Sequence, residues 1–426
     1  MNFKNASKEQ LLAAEKDLAN QFQNLQAAKL SLDLTRGKPS TEQVQLSDAL
    51  DGILAGNYID DSGTDLRNYG GLDGIPAIKS LFADAYGLQA EKILVAGNSS
   101  LSLMYQSALY ALHFGLSSTQ NSWDKEGGEV KFLCPVPGYD RHFSICEHLG
   151  IKMIPVAMDD NGPVMDEVEA LIKADPMIKG MWCVPRFSNP TGCTYSDETV
   201  DRIAALGTIA GDNFRVFWDN AYALHIIDQD AAVLSNIFTA CEKYQTQDSI
   251  LYFGSTSKVT FAGAGVAFLA ASDSNLNGFK KHMSYSSIGP DKINQQRHVN
   301  LLKNVDGFKA HMNQHAELIK PRFDMVEKHL SEGFADTGIA EWTKPEGGYF
   351  VSFNCLPGLA KNIIAMSNEA GVKLTPAGAA FPYGDDPQDS NIRLAPTFPS
   401  LEDVDTAMAV FVVCVKLATV RQLLDA

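Results

Sequence analysis

The stretch ILYFGSTSKVTFAGAGVAFLAAS, residues 250–272, decides how the rest of the chain is read. Two apolar runs, ILYFGS and VAFLAAS, have the length and the β-branched and aromatic content of buried strands. Between them lies a loop of serines, threonines and glycines that carries one lysine, Lys258. A lone loop lysine is by default a solvated amine, because burying its charge is costly; the alternative is that it does chemistry at a strand end. Five earlier runs, KILVAG, VKFLCPV, KMIPVAM, GMWCVP and FRVFWD, alternate with helical patterns. That alternation predicts an α/β fold with a mostly parallel, seven-stranded sheet flanked by helices.

Outward from the sheet the pattern changes. Ser7 with Gln10 reads as a capping box opening a helix whose stripe is Leu11, Ala14, Leu18, Phe22 and Leu25. Beyond about residue 300 a long helical pattern is followed by the short runs GGYFVSFN, VKLTPAGAAF and NIRLAPT, and a last helix from Leu401. A chain of 426 residues exceeds one simple core, so a second, smaller α+β domain built from both chain ends is expected. The expected division is 1–50 for the N-terminal helix and arm, 51–305 for the large domain, and 306–426 for the C-terminal part of the small one.

A formal net charge of −16 disfavours nucleic acid and anionic membrane as partners, since both require clustered Lys and Arg. The seven cysteines are scattered and never spaced C-x-x-C, which argues against a disulfide framework and a structural zinc site, so no metal is expected. The N-terminus lacks the apolar core of a signal peptide, and the run AMAVFVVCV is too short to span a bilayer. A reducing cytoplasm is the expected compartment.

Ligands of open α/β sheets bind beyond the carboxyl ends of the strands, so the residues after each run are the candidates. They are Ser99 and Ser100 at a helix start, Tyr139, Asn189 in RFSNPTG, Asp219 and Tyr222 in WDNAY, and Ser255, Ser257 and Lys258. Each alone has a structural reading: N-caps, a turn, a packing aromatic, a strand closure. Together they suit an aromatic aldehyde carrying a phosphate, namely pyridoxal phosphate. Lysine forms a Schiff base with such an aldehyde, and Asp219 keeps the ring nitrogen protonated. Tyr139 covers the ring face, and Asn189 and Tyr222 donate to the ring oxygen. The four serines and the helix start receive the phosphate. Arg393 in NIRLAP offers a planar fork for a substrate carboxylate, where by default it would be half of a surface ion pair.

In this order and spacing, SNPTG, WDNAY, STSK and NIRLAP resemble the class I and II aminotransferases of the fold type I pyridoxal-phosphate superfamily, from about Leu32 to the C-terminus. LTRGKPS, RNYGGLDG and PVPGYDRHF are most similar to a bacterial subgroup assigned as aspartate aminotransferases. The resemblance implies a homodimer with sites at the interface, where Tyr69 reaches the phosphate of the neighbouring subunit. It also implies that Gly37 and Arg393 bracket the substrate α-carboxylate. Many relatives carry a phosphate-binding arginine about eight residues after the lysine; here that place holds Val266 or Ala267, with Lys38, Arg36 or a basic residue of the partner subunit as substitutes. Arg141, Lys292 and Arg297 are candidates for a distal substrate carboxylate. The implied reaction moves an amino group between an amino acid, aspartate first, and 2-oxoglutarate. A lyase or decarboxylase of the same fold, or an effector-binding regulator, is the alternative; the single helix before Leu32 does not suggest a helix-turn-helix.

Overall fold

All seven apolar runs are strands of one sheet in the computed structural model, which describes residues 2–117 and 121–425. They are β1 (Ile93–Val95), β2 (Lys131–Val136), β3 (Lys152–Asp159), β4 (Ile178–Cys183), β5 (Arg215–Asp219), β6 (Ile250–Ser255) and β7 (Ala267–Ala271). Their order across the sheet is β1-β7-β6-β5-β4-β2-β3. From β3 to β6 every neighbour is parallel, while β7 runs antiparallel to both β6 and β1. A two-residue strand, Gly162–Pro163, turns back beside β3 and extends that edge; it has no apolar run to announce it.

Strands β4 to β7 are buried at every residue. Such strands show continuous apolar runs, not alternation, because helices cover both faces of a parallel sheet. One apolar layer holds Val95, Met181, Val216 and Phe268, and the other Phe132, Trp182, Phe217 and Phe253. Between β2 and β4 the pairing is Phe132 opposite Gly180, and a Cβ on Gly180 would lie 2.3 Å from the Phe132 ring. Glycine is needed there to leave room for the aromatic.

The helices that bear on the site are α1 (Lys8–Ala27), α2 (Thr41–Gln45), α3 (Ser100–His113), α4 (Asp140–Leu149), α5 (Lys292–Leu302), α6 (Val305–Phe334) and α7 (Leu401–Asp425). The expected capping box starts α1: the Ser7 hydroxyl accepts from the Gln10 N–H, and the Gln10 side chain accepts from the Ser7 N–H. Leu11, Leu18 and Phe22 of α1 are buried in a second core with α7 and an antiparallel sheet of β8 (Ala340–Trp342), β9 (Val351–Cys355) and β10 (Asn391–Leu394). Leu32–Asp33 pairs in parallel with Val372–Lys373, so the arm after α1 also joins the C-terminal half. The smaller α+β unit is thus made from both ends of the chain. Helix α6 crosses between the cores, with Phe308 and Met312 in the core of the large sheet and Ile319, Val326 and Leu330 in the second.

Helix α7 exceeds the run AMAVFVVCV and is long and apolar enough, by length and composition, to cross a membrane. Its apolarity has another physical cause: Val404, Met408, Phe411, Val415 and Leu417 are buried in the second core.

Gly180→Ala forces the Phe132 ring out of its place, and a loss of about 1–3 kcal/mol is expected, as for overpacked cores. Urea unfolding of the variant against the parent measures it.

Candidate active site

The loops after β1, β2, β4, β5 and β6 meet at the carboxyl edge of the large sheet. Asp219, the last residue of β5, is 3% exposed. Its Oδ2 accepts from His142 Nε2 at 3.0 Å, and its Oδ1 is buried with no partner among the described residues. His142 stacks on Trp182 of β4, with centroids 4.3 Å apart and planes 10° apart, so the imidazole is fixed from its face as well as its edge. Within PVPGYDRHF the expected site residue is Tyr139, and His142 is not among those expected. The available signal was its place three residues after Tyr139 at a helix start, one turn along and so on the same side.

Lys258 follows β6. Burial lowers the affinity of its amine for a proton, and the carboxylate of Asp219 partly restores it. Its Nζ lies 5.0 Å from the centroid of the Tyr222 ring, over the face of that ring. Tyr222 is itself buried, and its hydroxyl is pushed well above the usual phenol range by burial, with Tyr139 and Asp219 adding to the shift. Tyr139 packs edge-on to His142 with centroids 5.0 Å apart. Burial likewise raises the Tyr139 hydroxyl, so both phenols stay protonated and able to donate.

Arg393 enters from β10. It is 8% exposed, and its Nη1 donates to Asp140 Oδ1 at 3.1 Å and to Asn189 Oδ1 at 3.3 Å. Its guanidinium lies 5.0 Å from the Phe350 centroid, and its Nε is buried without a partner among the described residues. A Cβ on Gly37 would fall 2.3 Å from the same Phe350 ring, which places the Gly37 backbone against the aromatic that supports Arg393.

The serines form a second group. Ser99 is the N-cap of α3, yet its side chain makes no capping bond, so its hydroxyl is not spent on the helix. Ser255 Oγ donates to Ser257 Oγ at 3.1 Å, and Ser257 Oγ donates to the Asn98 carbonyl at 2.9 Å. The loop after β6 is thereby tied to the residue before Ser99. Free N–H groups and the positive end of α3 make this an anion-attracting corner.

Residues 6–426 match the family model described as aspartate amino-transferase. The chain belongs to this aminotransferase family. It is 43% identical over 94% of its length to an aspartate aminotransferase of Corynebacterium glutamicum, covering 93% of that protein. It is 45% identical to a provisionally named aminotransferase of Mycolicibacterium smegmatis, over 100% of this chain and 99% of that one. Among solved structures, an aspartate transaminase of Corynebacterium glutamicum superposes with a TM-score of 0.95 at 40% identity, with 99% of each chain covered. The α-aminoadipate aminotransferase of Thermus thermophilus, solved with N-(5'-phosphopyridoxyl)-L-leucine, shares the fold at 20% identity and a TM-score of 0.74, over 92% of this chain and 93% of that one. The architecture is that of the fold type I aminotransferases, and the enzyme is a transaminase.

Other candidates of this aminotransferase lie elsewhere. Val266, at the place of the arginine found in many relatives, is 1% exposed and belongs to the apolar core. The Lys38 ammonium sits 3.6 Å over the Phe398 ring, and Arg36 is exposed. Tyr69 is 81% exposed and is not brought to the other residues within one chain. Lys292, 4% exposed, donates from Nζ to the carbonyls of Asn68 at 2.6 Å and Gly70 at 2.7 Å. Its ammonium therefore clasps the loop that presents Tyr69. Arg141 is exposed and Arg297 half-buried, and neither has a hydrogen-bond partner among the described residues.

Asp140 offsets part of the charge of the Arg393 guanidinium. Its side chain is 36% exposed, so screening limits the effect. Asp140→Asn is expected to lower the KM for a carboxylate substrate roughly two- to fivefold with little change in kcat. Initial-rate kinetics on the variant test it.

Proposed function

We propose that the enzyme transfers an amino group between L-aspartate and 2-oxoglutarate, with pyridoxal phosphate joined to Lys258. The observation that carries this reading is the buried Asp219 carboxylate, one oxygen held by His142 and the other without a partner, beside an amine whose basicity is reduced. An unpaired buried carboxylate oxygen is expensive unless a cationic N–H completes it, and a pyridinium supplies one. When bound, the cofactor provides a conjugated cationic ring that draws electrons from the substrate α-carbon.

The protein groups have separable tasks. Asp219, aligned by His142, holds the ring nitrogen in its charged form. Tyr222 and the Asn189 amide donate to the ring oxygen, and Tyr139 covers the ring. Ser99, Ser100, Ser255 and Ser257 receive the phosphate, completed by Tyr69 of a second copy. Arg393 takes the α-carboxylate beside the Gly37 backbone, with Nε and Nη2 unpaired among the described residues and so open to a bidentate contact. Lys258 Nζ, its proton affinity lowered by burial, takes the proton from the substrate α-carbon and returns it.

The amino-acid choice rests on the curated and solved relatives that act on aspartate. A homodimer is supported by the exposed Tyr69, Tyr285 and Ile288, at 81%, 82% and 66%. Gly70 and Gly289 pack together, which brings their segments into one patch, and large exposed apolar patches mark interaction surfaces. The free cysteines fit a cytoplasmic enzyme.

A half-reaction tests the assignment. Purified protein loaded with pyridoxal phosphate and mixed with aspartate alone is expected to lose its visible absorbance and release oxaloacetate. Lys258→Ala is expected to lower turnover by about 10⁵-fold or more, since it removes the nucleophile and proton carrier together. Alanine or pyruvate as product would mean a decarboxylase or lyase, and bleaching only by another amino acid would replace aspartate.

A further inference from the structure

Behind Lys258 lies a buried group of side chains to which the transfer reaction assigns no task. The Lys258 carbonyl accepts from His225 Nε2 at 3.3 Å and from the Tyr349 hydroxyl at 3.4 Å. The next carbonyl, of Val259, accepts from His311 Nε2 at 2.7 Å and His315 Nε2 at 2.8 Å. A carbonyl oxygen has two lone pairs, so both oxygens are saturated by side chains.

One glutamine sets the direction of these bonds. Gln43 is 0% exposed and closes the capping box of α2, where the Ser40 N–H donates to its Oε1 at 3.0 Å. Its amide nitrogen therefore faces His315 Nδ1 and the Tyr349 hydroxyl, each at 3.0 Å. His315 must accept at Nδ1 and donate from Nε2, and Tyr349, having accepted from Gln43, donates to Lys258. His225 Nδ1 is buried without a partner among the described residues, so a proton there would be an unsatisfied donor carrying a charge towards Lys258.

Resting on the assignment of Lys258 above, we propose that His225, His311, His315 and Tyr349, directed by Gln43, are positioning residues. They form an uncharged cradle that fixes the backbone of Lys258, and so the aim of its amine, and that loosens when the imidazoles take protons. The cradle draws on α2, α6, the turn after β5 and the loop before β9, so the N-terminal arm and the helix crossing both cores are tied to the lysine through one amide.

The titratable groups facing one another here are Lys258, with Asp219 beyond it, the three imidazoles and Tyr349. His298 stands next along, bonded to Thr260 at 2.8 Å, with Asp291 and Arg297 near it on or beside α5. Burial depresses His225 to about 3, with His315 and Lys258 adding repulsion, and depresses His315 to about 4, with His311 adding repulsion. These values lie below the unfolded one, so the unfolded chain binds more protons as pH falls below about 6.5. The stability is complete above that pH and is lost as pH drops towards 4. His225 and His315 each then lower the folding equilibrium constant roughly tenfold per pH unit.

Three variants test the cradle: His315→Leu, which removes the donor, His315→Gln, which replaces it with a donor that does not titrate, and Gln43→Leu. His315→Leu is expected to cut kcat by about tenfold or more with KM within about twofold, and His315→Gln to recover most of that loss. The cofactor-free protein is expected to lose less melting temperature between pH 7.5 and 5 in His315→Gln than in the parent. Gln43→Leu removes the donor that keeps His315 Nδ1 an acceptor, so it too is expected to lose less than the parent. A kcat for His315→Leu equal to the parent, or a pH dependence of melting that His315→Gln leaves unchanged, overturns the proposal. Should His315→Leu not fold, the other two variants decide by melting alone. Melting requires no turnover, so it stays readable even if the transamination assignment fails.

Discussion

The whole arrangement depends on holding a carboxylate and an amine in a place where water does not screen them. Asp219 ends a strand buried along its entire length, and Lys258 follows the adjacent strand, so the sheet itself sets their neighbourhood. Buried charges are tolerated only when their remaining hydrogen-bonding capacity is met. His142 meets half of that of Asp219 and is clamped in turn by Trp182. The chemistry assigned to the site uses the half that is left.

Much of the remaining structure supports loops around that pair. Arg393 comes from the second core, rests on Phe350 and is joined to Asp140 and Asn189 of the first. Lys292 spends its charge inside the chain, on the two carbonyls that flank Tyr69. A strongly hydrated ammonium placed at 4% exposure is stable only because those carbonyls replace its water. The same amine therefore has a structural task, whereas its position in GPDKINQQRH suggested a contact with substrate.

The sheet was legible because strands covered on both faces become uninterrupted apolar runs, and the loops after those runs drew attention because open sheets place ligands there. The edge strand Gly162–Pro163 left no such trace. His142 was overlooked because a histidine inside a helix has no pattern of its own. Gln43, His225, His311 and His315 were invisible for a stronger reason: Gln43 meets His315 across 272 positions, and no local spacing encodes that. Tyr69 and Lys292 show the same limit, since RNYGG and GPDKINQQRH reveal nothing of the clasp between them until the chain is folded.

Helix α1 and helix α7 share one core although they stand at opposite ends of the chain, with Arg421 reaching Glu15 at 3.1 Å. On the ribosome the order of synthesis separates them. At the usual pace of translation the greasy side of α1, with Leu11, Leu18 and Phe22, waits on the order of tens of seconds for its cover. The strands of the large sheet emerge meanwhile and can assemble first. The nascent polypeptide thus carries an uncovered amphipathic helix until α7 has been made.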